Sequence, residues 1–129
     1  MATVLVVDDE GVSRTIIVRI LERAGHRVTA CASVVEAIEA VSFCPFDLIV
    51  TDILMPDYDG FELVQAARNL RPDIPILVVS SIAELVPAEL AGAAFDKLAV
   101  NGVVPKPVEP EALTRLVAGI LDARLGDVA

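Results

Sequence analysis

The chain has 129 residues, enough for one domain with one sizeable core. It is 55% apolar and only 22% charged, which excludes a disordered tail. Ten Lys/Arg against nineteen Asp/Glu leave a net charge of -9, which argues against unaided binding to nucleic acid or docking on anionic lipid and suits a protein that meets other proteins or holds a cation.

The N-terminus runs straight into an apolar stretch, Val4 to Val7, followed by acids, with no basic region or small-residue cleavage site ahead of it. No signal peptide is read there. No charge-free apolar run approaches the roughly 18 residues of a membrane span, so the expected location is the cytoplasm. Cys31 and Cys44 have neither CxxC spacing nor a neighbouring His, and read as reduced thiols in a cytosolic core.

Taken in order, Thr3 to Val7 is an unbroken β-branched and leucine run, expected of a strand covered on both faces. It ends in Asp8-Asp9-Glu10. Val12, Ile16, Ile17, Ile20, Leu21 and Ala24 fall on one helical face, and Gly25 ends that helix. Arg27 to Cys31 reads as a second strand. Ser33 with Glu36 is a capping box opening a helix with Ala37, Ile38 and Val41 inward, closed before Pro45. Leu48 to Thr51 is the third strand and delivers Asp52 at its end, with Pro56 and Gly60 punctuating the turn that follows. Asp59 with Glu62 caps a helix carrying Phe61, Val64, Ala67 and Leu70. Ile76 to Val79 is the fourth strand, ending in Ser80-Ser81. A helix from about Pro87 carries Leu90, Ala91, Ala94, Phe95 and Leu98, and Asn101-Gly102 closes it. Val103-Val104 is a short fifth strand ending at Pro105-Lys106-Pro107. Pro110 opens a last helix with Leu113, Leu116, Val117, Ile120 and Leu121 on one face. His26, the only histidine, falls in a loop at the opposite end of the sheet from the acids and reads as a surface residue.

Five strands alternating with five helices, at spacings too long for hairpins, predict an α/β fold with a parallel sheet wound on both faces. One domain is expected over 1–129, with its core over about 3–125 and a frayed tail at 126–129. Ligands of such sheets bind beyond the carboxyl ends of the strands. Four strands end there in polar residues: Asp8 and Asp9, Asp52, Ser80 and Lys106. Crowded carboxylates repel one another, and a hard divalent cation with oxygen ligands answers that repulsion. Lys106 adds a point charge suited to a carboxylate or phosphoryl oxygen, and Ser80 a short hydroxyl. A carboxylate nucleophile, a metal, a lysine and a hydroxyl are what phosphoryl transfer requires.

The paired acids Asp8-Asp9, the run from Asp52 through Met55-Pro56 to Asp59-Gly60, Ser80 after the fourth strand and Lys106-Pro107 together resemble the receiver domain of two-component response regulators, over the whole chain. The resemblance implies a flavodoxin-like sheet of order 2-1-3-4-5. It implies that Asp52 is the phosphoacceptor, served by a phosphohistidine on a histidine kinase or histidine phosphotransfer protein. Asp9 and Asp52 would ligate Mg2+ (or Mn2+) directly, Asp8 through water, and the backbone carbonyl of Leu54 would complete the protein ligands. Ser80 would be the switch hydroxyl and Lys106 the partner of the phosphoryl group or, before modification, of Asp52. Such a protein is a signalling phosphoacceptor rather than an enzyme, assisting its own phosphorylation and slow dephosphorylation. Leu54 and Ile82 would screen the phosphoryl group from water. Output would pass to a downstream protein through the fourth helix, fifth strand and fifth helix, with no direct contact to nucleic acid or membrane.

The chain departs from the family pattern in three places. Val103 stands where the family usually has an aromatic ring, Ser81 where Ala or Gly is common, and the interval from Ser80 to Lys106 is a few residues longer than usual. Other readings are a metal-dependent phosphohydrolase, which would want a second acid where Leu54 stands; an unphosphorylated pseudo-receiver; and a receiver fragment of a larger hybrid kinase or transcriptional regulator. Since Met1 precedes the first strand and Ala129 follows the last helix, a stand-alone regulator is expected.

Overall fold

A computed structural model describes residues 2–52, 60–80 and 100–128. Five strands form one sheet: β1 Thr3–Val7, β2 Arg27–Cys31, β3 Leu48–Thr51, β4 Ile76–Ser80 and β5 Gly102–Pro105. Four helices fall among the described residues: α1 Gly11–Arg23, α2 Val34–Phe43, α3 Gly60–Leu70 and α4 Pro110–Val128. The helix expected from about Pro87 lies outside them, as does Asp59, the expected cap of α3. The strands are all parallel and run in the order β2-β1-β3-β4-β5, the doubly wound arrangement expected from the sequence.

Period-two alternation in the buried strands divides the core in two. Val4, Val6, Leu48, Val50, Leu77 and Val79 point to one face, where Ile17, Ile20 and Leu21 of α1 and Leu113 and Val117 of α4 cover them. Leu5, Val7, Ile49 and Ile76 point to the other, beneath Val34, Ala37 and Val41 of α2 and Leu63, Val64 and Ala67 of α3. Covered on both faces, these strands have no place for polar residues except at their ends.

The helix boundaries follow local chemistry. Gly25 ends α1 at φ +95, with its N–H bonded to the Glu22 carbonyl at 3.0 Å and the His26 N–H to that of Leu21 at 3.1 Å, which satisfies carbonyls the helix would leave bare. The Ser33 hydroxyl accepts from the Glu36 N–H at 3.2 Å, but Glu36 reaches back to the Ala32 N–H at 3.3 Å rather than to that of Ser33. The box is therefore displaced by one residue.

Some expected faces are corrected. Val12 is 71% exposed and Ile16 46%, so the buried stripe of α1 is narrower than its apolar pattern. Leu70 of α3 is also exposed, and Leu63, not singled out before, is fully buried. Only Cys31 of the two thiols is in the core; Cys44 is exposed. His26 is half-buried and accepts the Ala2 N–H on Nδ1 at 3.2 Å. At the C-terminus α4 runs to Val128.

Candidate phosphoacceptor site

The ladder between strands carries one residue past the end of β1 and β3. Asp8 N–H donates to the Cys31 carbonyl at 3.1 Å, and Asp52 N–H to the Val7 carbonyl at 2.9 Å. With Val7 opposite Thr51 in the register, Asp8 and Asp52 leave the sheet side by side. Both are buried, at 1% and 7% exposure, while Asp9 is exposed beside them. One carboxylate oxygen from each of Asp8, Asp9 and Asp52 lies within 4.8 Å of the others.

Lys106 follows β5 directly. Its Nζ donates to Asp52 Oδ2 at 2.8 Å and to Asp8 Oδ2 at 3.1 Å. Burial works against the ammonium charge, but the hydrogen bonds and charges of Asp52, then of Asp8, outweigh it together, and the lysine pKa is held above its ordinary value. The second Asp8 oxygen, Oδ1, accepts the Glu10 N–H at 2.9 Å. Asp8 is thus engaged on both carboxylate oxygens, which is what an acid at 1% exposure needs. The Thr51 hydroxyl donates to the Asp52 carbonyl at 2.8 Å and closes the strand end.

Ser80 ends β4 opposite Pro105, on the same edge of the sheet; its hydroxyl lies outside the described side chains. Leu54, Met55, Pro56, Asp59, Ser81 and Ile82 lie outside the described residues. The structure therefore brings Asp8, Asp9, Asp52 and Lys106 together as the sequence suggested, and adds a lysine–Asp8 pair that was not expected. A further contact escaped the sequence reading altogether: Arg14 Nη1 donates to the Asp8 carbonyl at 2.7 Å. Its signal was a cation in the opening turns of a helix, where the helix dipole disfavours one, just after a cluster of acids.

A cleft of about 660 Å3 between α1 and α4, lined by Ile16, Arg19, Ile20 and Arg115 among others, includes none of these acids. Among the described residues Glu111 is the one carboxylate in its lining, so it lacks the converging acids of the sheet edge. Three hard carboxylate oxygens with an ammonium in attendance fit a hard divalent cation and a phosphoryl group; a soft metal would want thiolate or imidazole, and neither is in this cluster.

The family model for the response regulator receiver domain matches residues 4–118. The chain belongs to the response regulator receiver family. This receiver is 34% identical over 124 residues to the DNA-binding transcriptional regulator NtrC of Azospirillum brasilense, covering 95% of the chain and 24% of that protein. It is 36% identical over 83 residues to the response regulator receiver protein CpdR of Brucella abortus, covering 64% of the chain and 69% of the relative. The solved structure of the chemotaxis protein CheY4 of Vibrio cholerae superposes with a TM-score of 0.84 at 30% identity, covering 93% of this receiver and 98% of that chain. The receiver thus spans about a quarter of the length of its NtrC relative. Among the described residues no helix is long and apolar enough to cross a membrane.

Proposed function

We propose that Asp52 is the acceptor of this receiver and takes a phosphoryl group from a phosphohistidine on a histidine kinase or histidine phosphotransfer protein. The observation that carries the reading is one ammonium, Lys106 Nζ, shared between Asp52 at 2.8 Å and Asp8 at 3.1 Å with Asp9 alongside. A carboxylate oxygen of Asp52 attacks phosphorus, the P–N bond to the imidazole breaks, its electron pair stays on the imidazole nitrogen, and an acyl phosphate results. Lys106 pairs with Asp52 beforehand and with the phosphoryl oxygens afterwards, and Ser80 donates its hydroxyl to one of them.

Mg2+ (or Mn2+) would be held by Asp9 and Asp52 directly, by Asp8 through water and by the Leu54 carbonyl, and when bound supplies charge that lets an anionic donor approach three acids. Lys106, itself anchored by Asp8, holds Asp52 in place, and burial of Asp8 and Asp52 keeps bulk water from dispersing their field. The protein is then a signalling phosphoacceptor and not a turnover enzyme. It works in the cytoplasm and passes its state to a downstream protein through the helix expected between β4 and β5, through β5 and through α4.

The test is intact mass after incubation with a small phosphodonor and Mg2+, beside Asp52→Ala and metal-free controls. A single labile phosphate adduct is expected, absent from both controls. An adduct that persists in Asp52→Ala would remove Asp52 from its role, and one formed without metal would remove the cation from the scheme. A second reading has its own support. The receiver covers only 24% of its NtrC relative, which favours a role as the receiver part of a longer regulator; the same chemistry would then drive an attached output domain.

A further inference from the structure

The backbone of Asp8 is gripped at both its N–H and its carbonyl. Asp8 N–H is tied to the edge strand through the Cys31 carbonyl at 3.1 Å, and the Asp8 carbonyl is tied to α1 through Arg14 Nη1 at 2.7 Å. Arg14 is the fourth residue of α1, and its guanidinium folds back toward the start of that helix: a Cβ on Gly11 would stand 3.8 Å from Nη2. The guanidinium charge also bears on Cys31, whose thiol is pushed up by burial and then by Glu36, with Arg14 opposing. Arg14 therefore holds the backbone of the loop that carries the acids, while Lys106 holds carboxylates.

The peptide group is planar. Fixing the Asp8 carbonyl constrains the plane in which the Asp9 nitrogen and Cα lie, and with it the point from which the Asp9 side chain leaves the loop. Asp8 has its carboxylate held independently by Lys106 and the Glu10 N–H. Asp9 is exposed, and its carboxylate meets those of Asp8 and Asp52 only if the backbone aims it there. A hydrogen bond from a cationic donor is among the stronger ones a carbonyl can accept.

We propose that Arg14 is a positioning residue: through the Asp8 carbonyl it sets the Asp8–Asp9 peptide and so aims the Asp9 carboxylate at the divalent cation it would share with Asp52. This rests on the reading of the acids as a cation site. The role has a signature opposite to that of plain electrostatics. A guanidinium near a cation site repels the cation, so its removal, if nothing else changed, would tighten Mg2+ binding. A positioning role requires the reverse.

The test is calorimetric titration of Mg2+ into the full chain, for the wild type, Arg14→Met, Arg14→Lys and Asp52→Ala, with the thermal midpoint of each recorded without metal. Arg14→Met is expected to weaken Mg2+ binding about ten-fold, the usual scale for groups that orient metal ligands. Arg14→Lys, which keeps the charge and a donor, is expected to retain most of the affinity. Unchanged or tighter binding in Arg14→Met would overturn the proposal, even if that variant melted earlier. Should Arg14→Met not fold, Arg14→Gln carries the same expectation, and unchanged or tighter binding there is equally fatal. A wild type whose Mg2+ binding is absent, or survives Asp52→Ala, would sink the cation site itself, and the proposal with it.

Discussion

Lys106 Nζ stands 3.1 Å from Asp8 Oδ2, although 98 residues separate them in the chain, and the same nitrogen stands 2.8 Å from Asp52. One ammonium thus serves two buried acids. Lys106→Met would leave Asp8, at 1% exposure, and Asp52 facing each other without it. The expected loss is about 3 kcal/mol in metal-free buffer, the scale of breaking a buried pair from one side, read from urea unfolding. Millimolar Mg2+ is expected to recover part of that loss. A metal-free variant as stable as the wild type would show that the pair contributes nothing to folding.

The same lysine sets an alkaline limit. Its pKa in the fold is raised above the ordinary 10.5 because Asp52 and Asp8 together outweigh the burial that opposes them. A raised pKa means that its contribution is whole below 10.5 and disappears as pH rises through the folded-state value. The stability gap between wild type and Lys106→Met is therefore expected to be constant through neutral pH and to close on the alkaline side. Thermal midpoints across that range check it; a gap that closed on the acid side of neutrality instead would point to other groups.

Gly25 tests the end of α1. At φ +95 an alanine is strained, yet a Cβ there meets nothing within 4 Å. Gly25→Ala is expected to cost about 1–2 kcal/mol through backbone conformation alone, without altering phosphorylation. A neutral substitution in chemical denaturation would mean that the turn relaxes freely.

Gly102 is the opposite case. Its φ is unremarkable, but a Cβ would stand 3.0 Å from Leu77 Cδ1 and 3.1 Å from Leu116 Cδ2. Gly102→Ala is expected to cost about 1–3 kcal/mol by overpacking β5 against α4. β5 leads directly to Lys106, so phosphorylation by a small donor should slow as well. An unchanged denaturation midpoint would show that the leucine ends give way without cost.

The sheet was legible because β-branched runs such as Thr3–Val7 and Ile76–Val79 have little choice once helices must cover both their faces. The acids were legible because each stands at the end of such a run. Val12 and Ile16 were misread because apolar periodicity says which residues share a helix face, not how far around the helix the core extends. The bond from Lys106 to Asp8 was hidden for a different reason. Sequence places both residues on one edge, but which acid a long lysine stem selects depends on the register of β1 against β3 and of β4 against β5. Arg14 was harder still, since its partner is a backbone carbonyl and carbonyls have no letter in the sequence.

At the far end of the sheet, Arg68 of α3 donates to the carbonyls of Pro72 and Ile74 and to Asn101 Oδ1. The same Asn101 oxygen accepts the Ile76 N–H at 2.9 Å. The entries to β4 and β5 are sewn there to neutral acceptors, whereas their exits adjoin ion pairs. The two ends consequently answer to different variables. A new phosphate at the exits can redistribute charge there while the entry seam keeps its bonds to neutral acceptors. The sheet behaves as a fixed root with a chargeable tip.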